Sequence, residues 1–516
     1  MRFTAHDWVA YHADHRPNSP ALRCVEDGRV LSWAELDDRV GRLAALLSVL
    51  GVTKGDRVAL IAENDPRVFE AQFAAMRIGA LFVPLNWRLT THELSEICLD
   101  CTPKVMLHDG GWAKTATDVA DKASIPVRLA WGSTEGGDWD GLDTAGYLAP
   151  TSDPKLDDPI HILYTSGTTG RPKGALGTHG TLLWNSINTA HSTGYAKAGC
   201  NHLNQMPLFH AGGLNVMSNP ILYFGGMVTT MTRFVPDQMV AAMADPTYPV
   251  THLAAIPAMY QAIADQPNFA TADLSALRHL ICAGAIATPE LLQLWADRGV
   301  PLHPQYGGTE MGPMATALDD EAASLGKAKL GSAGRKAFHT DLRLVNADEE
   351  DVPDGENGEI WLRGPAITVG YWGKSREDYF TGEWFRTGDV ARRDADGFYY
   401  LAGRTKEMYK SGGENVYPAE IENLLSLHPA IADVAVVGVP DARWGEVGTA
   451  VVVPAPGTEI TLDELHAYVG DRLARYKLPK HLVLVDELAR NVTGKVNRPE
   501  LVRLYSPDPA VPAAGQ

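Results

Sequence analysis

Positive charge is scarce in this 516-residue chain: 45 Lys and Arg stand against 63 Asp and Glu, a formal charge of −18. Phosphate backbones are bound by clustered Lys and Arg, so the deficit argues against nucleic acid as a partner. Anionic small molecules need only a local positive site and stay open. Cysteine is scarce too. Cys24, Cys98, Cys101, Cys200 and Cys282 are scattered, which suits a reducing cytoplasm better than a disulfide framework. Cys98 and Cys101 make a C-x-x-C, but no second Cys or His pair completes a zinc site. The surrounding SEICLDC reads as the end of an amphipathic helix with buried thiols. No uninterrupted apolar run is long enough to span a bilayer. The start, MRFTAHDWVAYHADHRP, lacks the basic-then-apolar order of a signal peptide.

What is present is the composition of an ordinary soluble globular protein, 45% hydrophobic and 21% charged. The length exceeds what one core supports, so two or more domains are expected. LSWAELDDRVGRLAALLSVLG (31–51) predicts a helix closed by glycine, and RVALIAE (57–63) a strand. AQFAAMRIGALFVPLN (71–86) passes again from helix to strand, and HLAAIP (252–257) and LRHLICAG (277–284) continue the series. Such alternation implies layered α/β sheets, largely parallel. After residue 340 the segments 358–372 and 397–404 read as short β-rich pieces with Gly turns. Beyond Arg404 a smaller unit begins: PAEIENLLSLHPAI a helix, ADVAVVGVP a strand, LDELHAYVGDRLARY another helix. The expected fold is α/β: an N-terminal domain over 1–403 of layered α/β sheets plus a β-rich subdomain, a small α+β C-terminal domain over 404–505, and a disordered tail over 506–516.

The sharpest motif is Tyr164-Thr-Ser-Gly-Thr-Thr-Gly-Arg-Pro-Lys-Gly174, directly after the apolar HIL. Small hydroxylated residues and glycines expose backbone N–H groups and hydroxyls with little bulk, so such a loop can wrap phosphate oxygens while Lys173 adds charge. It is not a Walker A loop, because Pro172 stands where the second Gly should be when counted from Gly167. In order along the chain follow Pro207-Leu-Phe-His-Ala-Gly-Gly213, Tyr306-Gly-Gly-Thr-Glu310, Trp384-Phe-Arg-Thr-Gly-Asp389, the run Gly403–Pro418 (GRTKEMYKSGGENVYP) and Asn491-Val-Thr-Gly-Lys495.

Together these resemble the signatures of the adenylate-forming superfamily, which includes acyl- and aryl-CoA synthetases, luciferases and peptide-synthetase adenylation domains. The resemblance covers nearly the whole chain. It implies an acid–CoA ligase that makes an acyl-AMP from ATP and a carboxylic acid, then a thioester with coenzyme A. Two anions meet in the first step, so catalysis is mainly positioning and charge neutralisation. By resemblance Thr165, Ser166, Gly167, Thr168, Thr169 and Lys173 hold the β- and γ-phosphates, Thr309 the α-phosphate, and Glu310 the Mg²⁺ ion. Tyr306 would stack on adenine in a slot lined by Ala283, Gly284, Ala285, Gln305 and Gly307. Asp389 and Arg404 would bind ribose. Lys495 would be the main catalytic residue of adenylation, its ammonium bridging substrate carboxylate and α-phosphate. The small domain is implied to be mobile, with Lys406 at the hinge. Ser411, Gly412 and Gly413 resemble the loop along the pantetheine arm, and Trp444 is either structural or close to CoA. A homodimer is compatible with the family.

The acid is less legible. Where amino-acid-activating domains carry an Asp, this chain has His210, followed by the uncharged Ala211, Gly212 and Gly213, which disfavours an amino-acid substrate. His210 either gates the acyl pocket or is a core histidine. Leu214, Asn215, Ala258, Met259, Tyr260, Gly308 and Met311 are further pocket candidates. They are mostly small or apolar, as suits an aromatic or medium-chain acid. Gln305 and Gly308 depart from the common Q-G-Y-G-M-T-E pattern, and Cys282-Ala-Gly-Ala-Ile286 lacks the usual proline. Over Ile256–Ile263, Pro207–Gly213 and Ser411–Ile421 the chain is most similar to bacterial feruloyl- and hydroxycinnamoyl-CoA synthetases, with fatty acyl-CoA synthetases almost as near. Ferulate or another aryl acid is the expected substrate and a medium- or long-chain fatty acid the alternative. A non-catalytic nucleotide-binding scaffold is the rival of another class, opposed by the intact Lys173, Glu310, Asp389, Arg404 and Lys495.

Overall fold

A computed structural model describes residues 5–132, 139, 153–165, 172–194, 199–285, 287–318, 329, 331–411, 414–441, 443–490 and 495–506. The chain divides into two compact units. The first comprises residues 1–330, 334–341 and 362–385, the second 331–333, 342–361 and 386–516.

The first unit is layered α/β. One sheet runs in the order Val127–Trp131, Val105–Asp109, Arg57–Ile61, Leu81–Leu85, Pro159–Thr165, Lys173–Thr178. All its pairings are parallel except the last, an antiparallel hairpin. Its inner strands are continuous apolar runs, and every residue of Leu81–Leu85 is buried, as a strand covered on both faces requires. A second, nine-stranded sheet has a parallel centre: Leu302–Tyr306, His279–Ala283, His252–Ala255, Asn201–Asn204, Met227–Thr230 and Pro20–Cys24. In parallel sheets ligands bind beyond the carboxyl ends of the strands, where Ala283, Gln305 and Tyr306 stand here.

Caps in the sequence start the helices. Ser32 and Glu35 close a capping box ahead of Trp33–Val49, so the helix expected from Leu31 starts two residues later and Leu31 joins a short strand. Asp65 with Pro66 opens Pro66–Arg77. Cys98 and Cys101 are buried at the end of Thr91–Cys101. Burial pushes the Cys101 thiol up to about 12 and raises that of Cys98 as well, so both stay neutral.

In the second unit Asp389–Arg393, the later part of the strand Trp384–Arg393, pairs antiparallel with Tyr399–Arg404. A further sheet joins Glu414–Val416, Tyr409–Ser411, Gly445–Pro454 and Ile431–Asp441, with His481–Leu484 parallel to Gly445–Pro454. Helices Pro418–Leu425 and Leu462–Val469 bury Ile421, Leu425, Leu465 and Val469 against it. The helix expected through Tyr476 ends at Val469: Gly470 adopts φ +55°, and only short 3₁₀ turns follow. Among the described residues no helix is long and apolar enough to cross a membrane.

Candidate active site

In the first unit the phosphate-loop motif joins the antiparallel strands Pro159–Thr165 and Lys173–Thr178. Its two described ends, Thr165 and Lys173, are register partners. Ser166, Gly167, Thr168 and Thr169 lie outside the described residues. Thr165 Oγ1 lies 3.3 Å from Glu310 Oε1, bringing the first motif to the third. Glu310 stands on a 3₁₀ turn, Thr309–Met311, and its Oε1 accepts a hydrogen bond from the Tyr371 hydroxyl at 2.8 Å. Oε2 makes no hydrogen bond among the described residues, and Glu310 is half-buried. The Lys173 ammonium faces the rings of Tyr379 at 4.6 Å and Tyr371 at 5.7 Å.

The glycines of Tyr306-Gly-Gly are set by packing. A Cβ on Gly307 would meet the Pro313 carbonyl oxygen at 1.7 Å, so no other residue fits that turn. At Gly308 the nearest atom to such a Cβ, the Met311 methyl, is 3.6 Å away, and the space stays open. Tyr306 and Gln305 end the Leu302–Tyr306 strand and are buried. Ala283 is the register partner of Gln305, and Gly284 and Ala285 lie exposed just beyond. The side-chain oxygen of Gln305 has no hydrogen-bond partner among the described residues.

The Pro207–Gly213 motif is clamped by Asn64. Its amide donates to the Met206 carbonyl at 2.9 Å, and its oxygen accepts from the Leu208 N–H at 2.9 Å. Gly213 is the tight point, since a Cβ there would meet the Pro207 oxygen at 2.4 Å. His210 is half-buried and acts as a helix cap, its Nδ1 accepting from the Gly212 N–H at 3.0 Å. A neutral His210 therefore carries its proton on Nε2. Leu214 is fully buried in the core, and Tyr260 is buried with its hydroxyl donating to the Ile281 carbonyl at 2.9 Å. Neither faces an open cleft.

Asn215 lies on a π-helical turn, Leu214–Ser218. Gln72 Nε2 donates to Asn219 Oδ1 at 2.9 Å, and Asn219 Nδ2 donates to Asn215 Oδ1 at 2.8 Å. This relay orients the Asn215 amide. Asn215 and Thr309 line the same small polar cavity with Thr181, His161 and Thr368. Met259 is half-buried beside Gln205, whose amide approaches its sulfur at 3.8 Å, and Met311 is buried.

In the second unit Asp389 and Arg404 are register partners joined by an ion pair at 2.9 Å. Lys406 is exposed two residues on. Ser411 is buried opposite Gly445, while Gly412 and Gly413 lie outside the described residues. Trp444 is 41% exposed, its N–H bonded to Asp441 Oδ1 at 2.8 Å and its ring covered by Arg443 at 4.8 Å. Lys495 is exposed beside the Arg490–Val496 bridge, and the Asn497 N–H donates to the Ala489 carbonyl at 2.8 Å.

Two residues of the first unit lay outside the sequence reading: Tyr371 and Tyr379. The Gly-flanked aromatic pair Gly370-Tyr371-Trp372-Gly373 is the signal that marks the first of them, within a segment read only as β structure.

A hard divalent ion such as Mg²⁺ takes oxygen donors. Among the described residues no cluster of three His, Cys, Asp or Glu could hold a metal. A lone carboxylate with one oxygen uncommitted suits Mg²⁺, which takes one or two protein carboxylates and completes its shell with phosphate and water. Glu310, with Oε2 uncommitted among the described residues, fits that description.

An AMP-binding enzyme family match spans residues 9–372, and that family's C-terminal domain matches residues 420–495. The chain belongs to the AMP-binding enzyme family. Among curated members, a feruloyl-CoA synthase of an Amycolatopsis species is 41% identical over 500 residues, covering 96% of this chain and 98% of that protein. An indoleacetate–CoA ligase of Aromatoleum aromaticum is 39% identical, covering 97% and 98%. Among solved structures, ATP-bound MatB from Rhodopseudomonas palustris superposes with a TM-score of 0.87 at 30% identity, over 97% of this chain and 99% of that one. ATP and coenzyme A are thus the co-substrates that the family site of this chain is built around.

Proposed function

We propose that this AMP-forming acid–CoA ligase activates ferulate or a related hydroxycinnamate or aryl acid. The observation that carries the substrate class is the 41% identity, nearly end to end, to a feruloyl-CoA synthase, with a second aryl-acid ligase at 39%. The polar and apolar character of the candidate lining is compatible: Met259 and Met311 offer adaptable apolar surface, and Asn215 an oriented amide.

In the proposed reaction a substrate carboxylate oxygen attacks the α-phosphorus of ATP and pyrophosphate leaves. The sulfur of coenzyme A then attacks the acyl carbonyl and AMP leaves. Thr165 and Lys173, with Ser166, Gly167, Thr168 and Thr169, would hold the β- and γ-phosphates, and Thr309 the α-phosphate. Bound Mg²⁺ at Glu310 would supply charge neutralisation on the phosphate oxygens. Asp389 offers two acceptor oxygens to the two ribose hydroxyls. Lys495 would neutralise charge gathering on the α-phosphate as the new bond forms. Lys406 would absorb the backbone change between the two half-reactions, and Ser411, Gly412, Gly413 and Trp444 would line the path of coenzyme A.

The test is turnover of ferulate, coumarate, benzoate, indoleacetate, octanoate, palmitate and malonate with ATP, Mg²⁺ and CoA, quantifying AMP and acyl-CoA. Preferred turnover of ferulate or coumarate is expected. Preference for octanoate or palmitate would replace the aryl acid with a fatty acid. AMP without a CoA thioester would point to a different acyl acceptor.

A further inference from the structure

We propose that Tyr371, with Tyr379 packed on it, is a positioning residue that keeps the Lys173 ammonium and the Glu310 carboxylate apart and correctly spaced for metal-bound nucleotide. The inference rests on reading Lys173 as a phosphate ligand and Glu310 as the Mg²⁺ ligand.

The problem these tyrosines solve is electrostatic. A flexible lysine close to a half-buried carboxylate collapses into an ion pair unless something else holds it. Such a pair would have to be broken each time phosphate and metal bind. Lys173 and Glu310 make no ion pair with one another among the described residues, although Thr165, the register partner of Lys173, sits 3.3 Å from the carboxylate. The ammonium instead lies over two aromatic faces, Tyr379 at 4.6 Å and Tyr371 at 5.7 Å. Cation–π attraction holds the charge without neutralising it. The Tyr371 hydroxyl meanwhile donates to Glu310 Oε1 at 2.8 Å and leaves Oε2 for an ion. One side chain thus touches both partners and separates them.

The backbone makes the arrangement rigid. Residues 368–372 lie along part of Lys173–Thr178. Tyr371 bridges Ala175, Leu176 N–H donates to the Gly370 carbonyl at 3.0 Å, and Trp372 N–H to the Gly174 carbonyl at 2.8 Å. Thr368 N–H donates to the Glu310 carbonyl at 2.8 Å, and its hydroxyl lies 2.8 Å from both the Leu176 and Gly370 oxygens. The Tyr371 and Tyr379 rings are 4.4 Å apart, tilted by 55°. The loop strand, the Glu310 turn and the tyrosine segment are therefore tied at backbone level, and the tyrosines transmit that geometry to the two charges.

The experiment compares wild type, Tyr371→Phe, Tyr379→Leu and Glu310→Gln by calorimetric binding of α,β-methylene-ATP with and without Mg²⁺, alongside Mg²⁺ titration of adenylation. Tyr371→Phe should weaken binding roughly 3- to 10-fold with Mg²⁺ present, leave metal-free binding unchanged, and be recovered by raised Mg²⁺. Tyr379→Leu should weaken binding similarly in both conditions, because it acts through the lysine. A change in melting temperature with unaltered Mg²⁺ dependence in Tyr371→Phe would overturn the inference, provided Glu310→Gln does shift that dependence. An unshifted Glu310→Gln would overturn the underlying metal-ligand reading itself.

Discussion

Asp389 and Arg404 face one another across antiparallel strands, and their side chains close an ion pair at 2.9 Å. Arg404 is half exposed while Asp389 is only 10% exposed, so the pair aims a nearly buried carboxylate from one side. A carboxylate accepts hydrogen bonds only, which is the property a ribose diol needs. Asp389→Asn should therefore raise the KM for ATP by about 10- to 100-fold, the range for losing charge-assisted hydrogen bonds. Arg404→Ala should raise it less, because solvent screens the exposed partner. Equal KM values for ATP in wild type and Asp389→Asn would remove Asp389 from the nucleotide site.

Lys495 is exposed and lies next to the bridged residue Val496. Lys495→Ala should leave the fold intact and slow acyl-adenylate formation by about 10²- to 10³-fold, as for a single donor to developing charge. Thioester formation from supplied acyl-adenylate and CoA should continue near the wild-type rate. Single-turnover assays of the two steps make the comparison, and equal losses in both would assign Lys495 a structural role.

Three residues after Lys495, Arg498 forks onto Glu422 at 2.6 and 2.8 Å and reaches Glu407 at 3.0 Å. Burial alone would lower the affinity of this guanidinium for its proton, but the Glu422 and Glu407 carboxylates outweigh it and raise its pKa. Removing one partner strands buried charge. Arg498→Met should cost about 3–5 kcal/mol of stability in urea denaturation. Glu407→Gln should cost less, since Glu407 is a third exposed and Glu422 keeps its bidentate contact.

How much of this was legible in the sequence depends on the range of the interaction. A local device was readable: the apolar run of Leu81–Leu85 marks a buried parallel strand. Gly470 was readable in principle, yet the apolar spacing on either side of it suggested one continuous helix. Long-range pairings were not readable. Nothing local in Gly-Tyr-Trp-Gly says that Tyr371 will meet Glu310, 61 positions away. Nor does apolar character distinguish Leu214, which enters the core, from Met259, which stays half-buried. Motifs identify chemistry because their residues act on one ligand, whereas the residues that space the charged groups are found only once the backbone has folded.

The histidines show the same contrast and yield a pH prediction. His202, His252 and His279 are lateral neighbours on three adjacent parallel strands, and His303 stacks on His279 at 3.8 Å. They sit near the strand starts, away from the carboxyl ends that carry Ala283 and Tyr306. Burial holds the first three neutral. His202 falls to about 4 and His252 to about 3, the latter pushed further by His202 and Arg278, and His279 is lowered by burial, His303 and His252. The unfolded chain binds these protons near pH 6.5 while the folded chain refuses them, so stability is full above about 6.5 and is lost as pH falls toward 4. Each ring withheld from its proton subtracts about 1.4 kcal/mol per pH unit across that window. His252→Gln should therefore flatten the dependence of the urea midpoint on pH between 6.5 and 4, whatever it does to the midpoint at neutral pH. If the slope is unchanged in His252→Gln, acid sensitivity in this window belongs to carboxylates elsewhere and not to the histidine row.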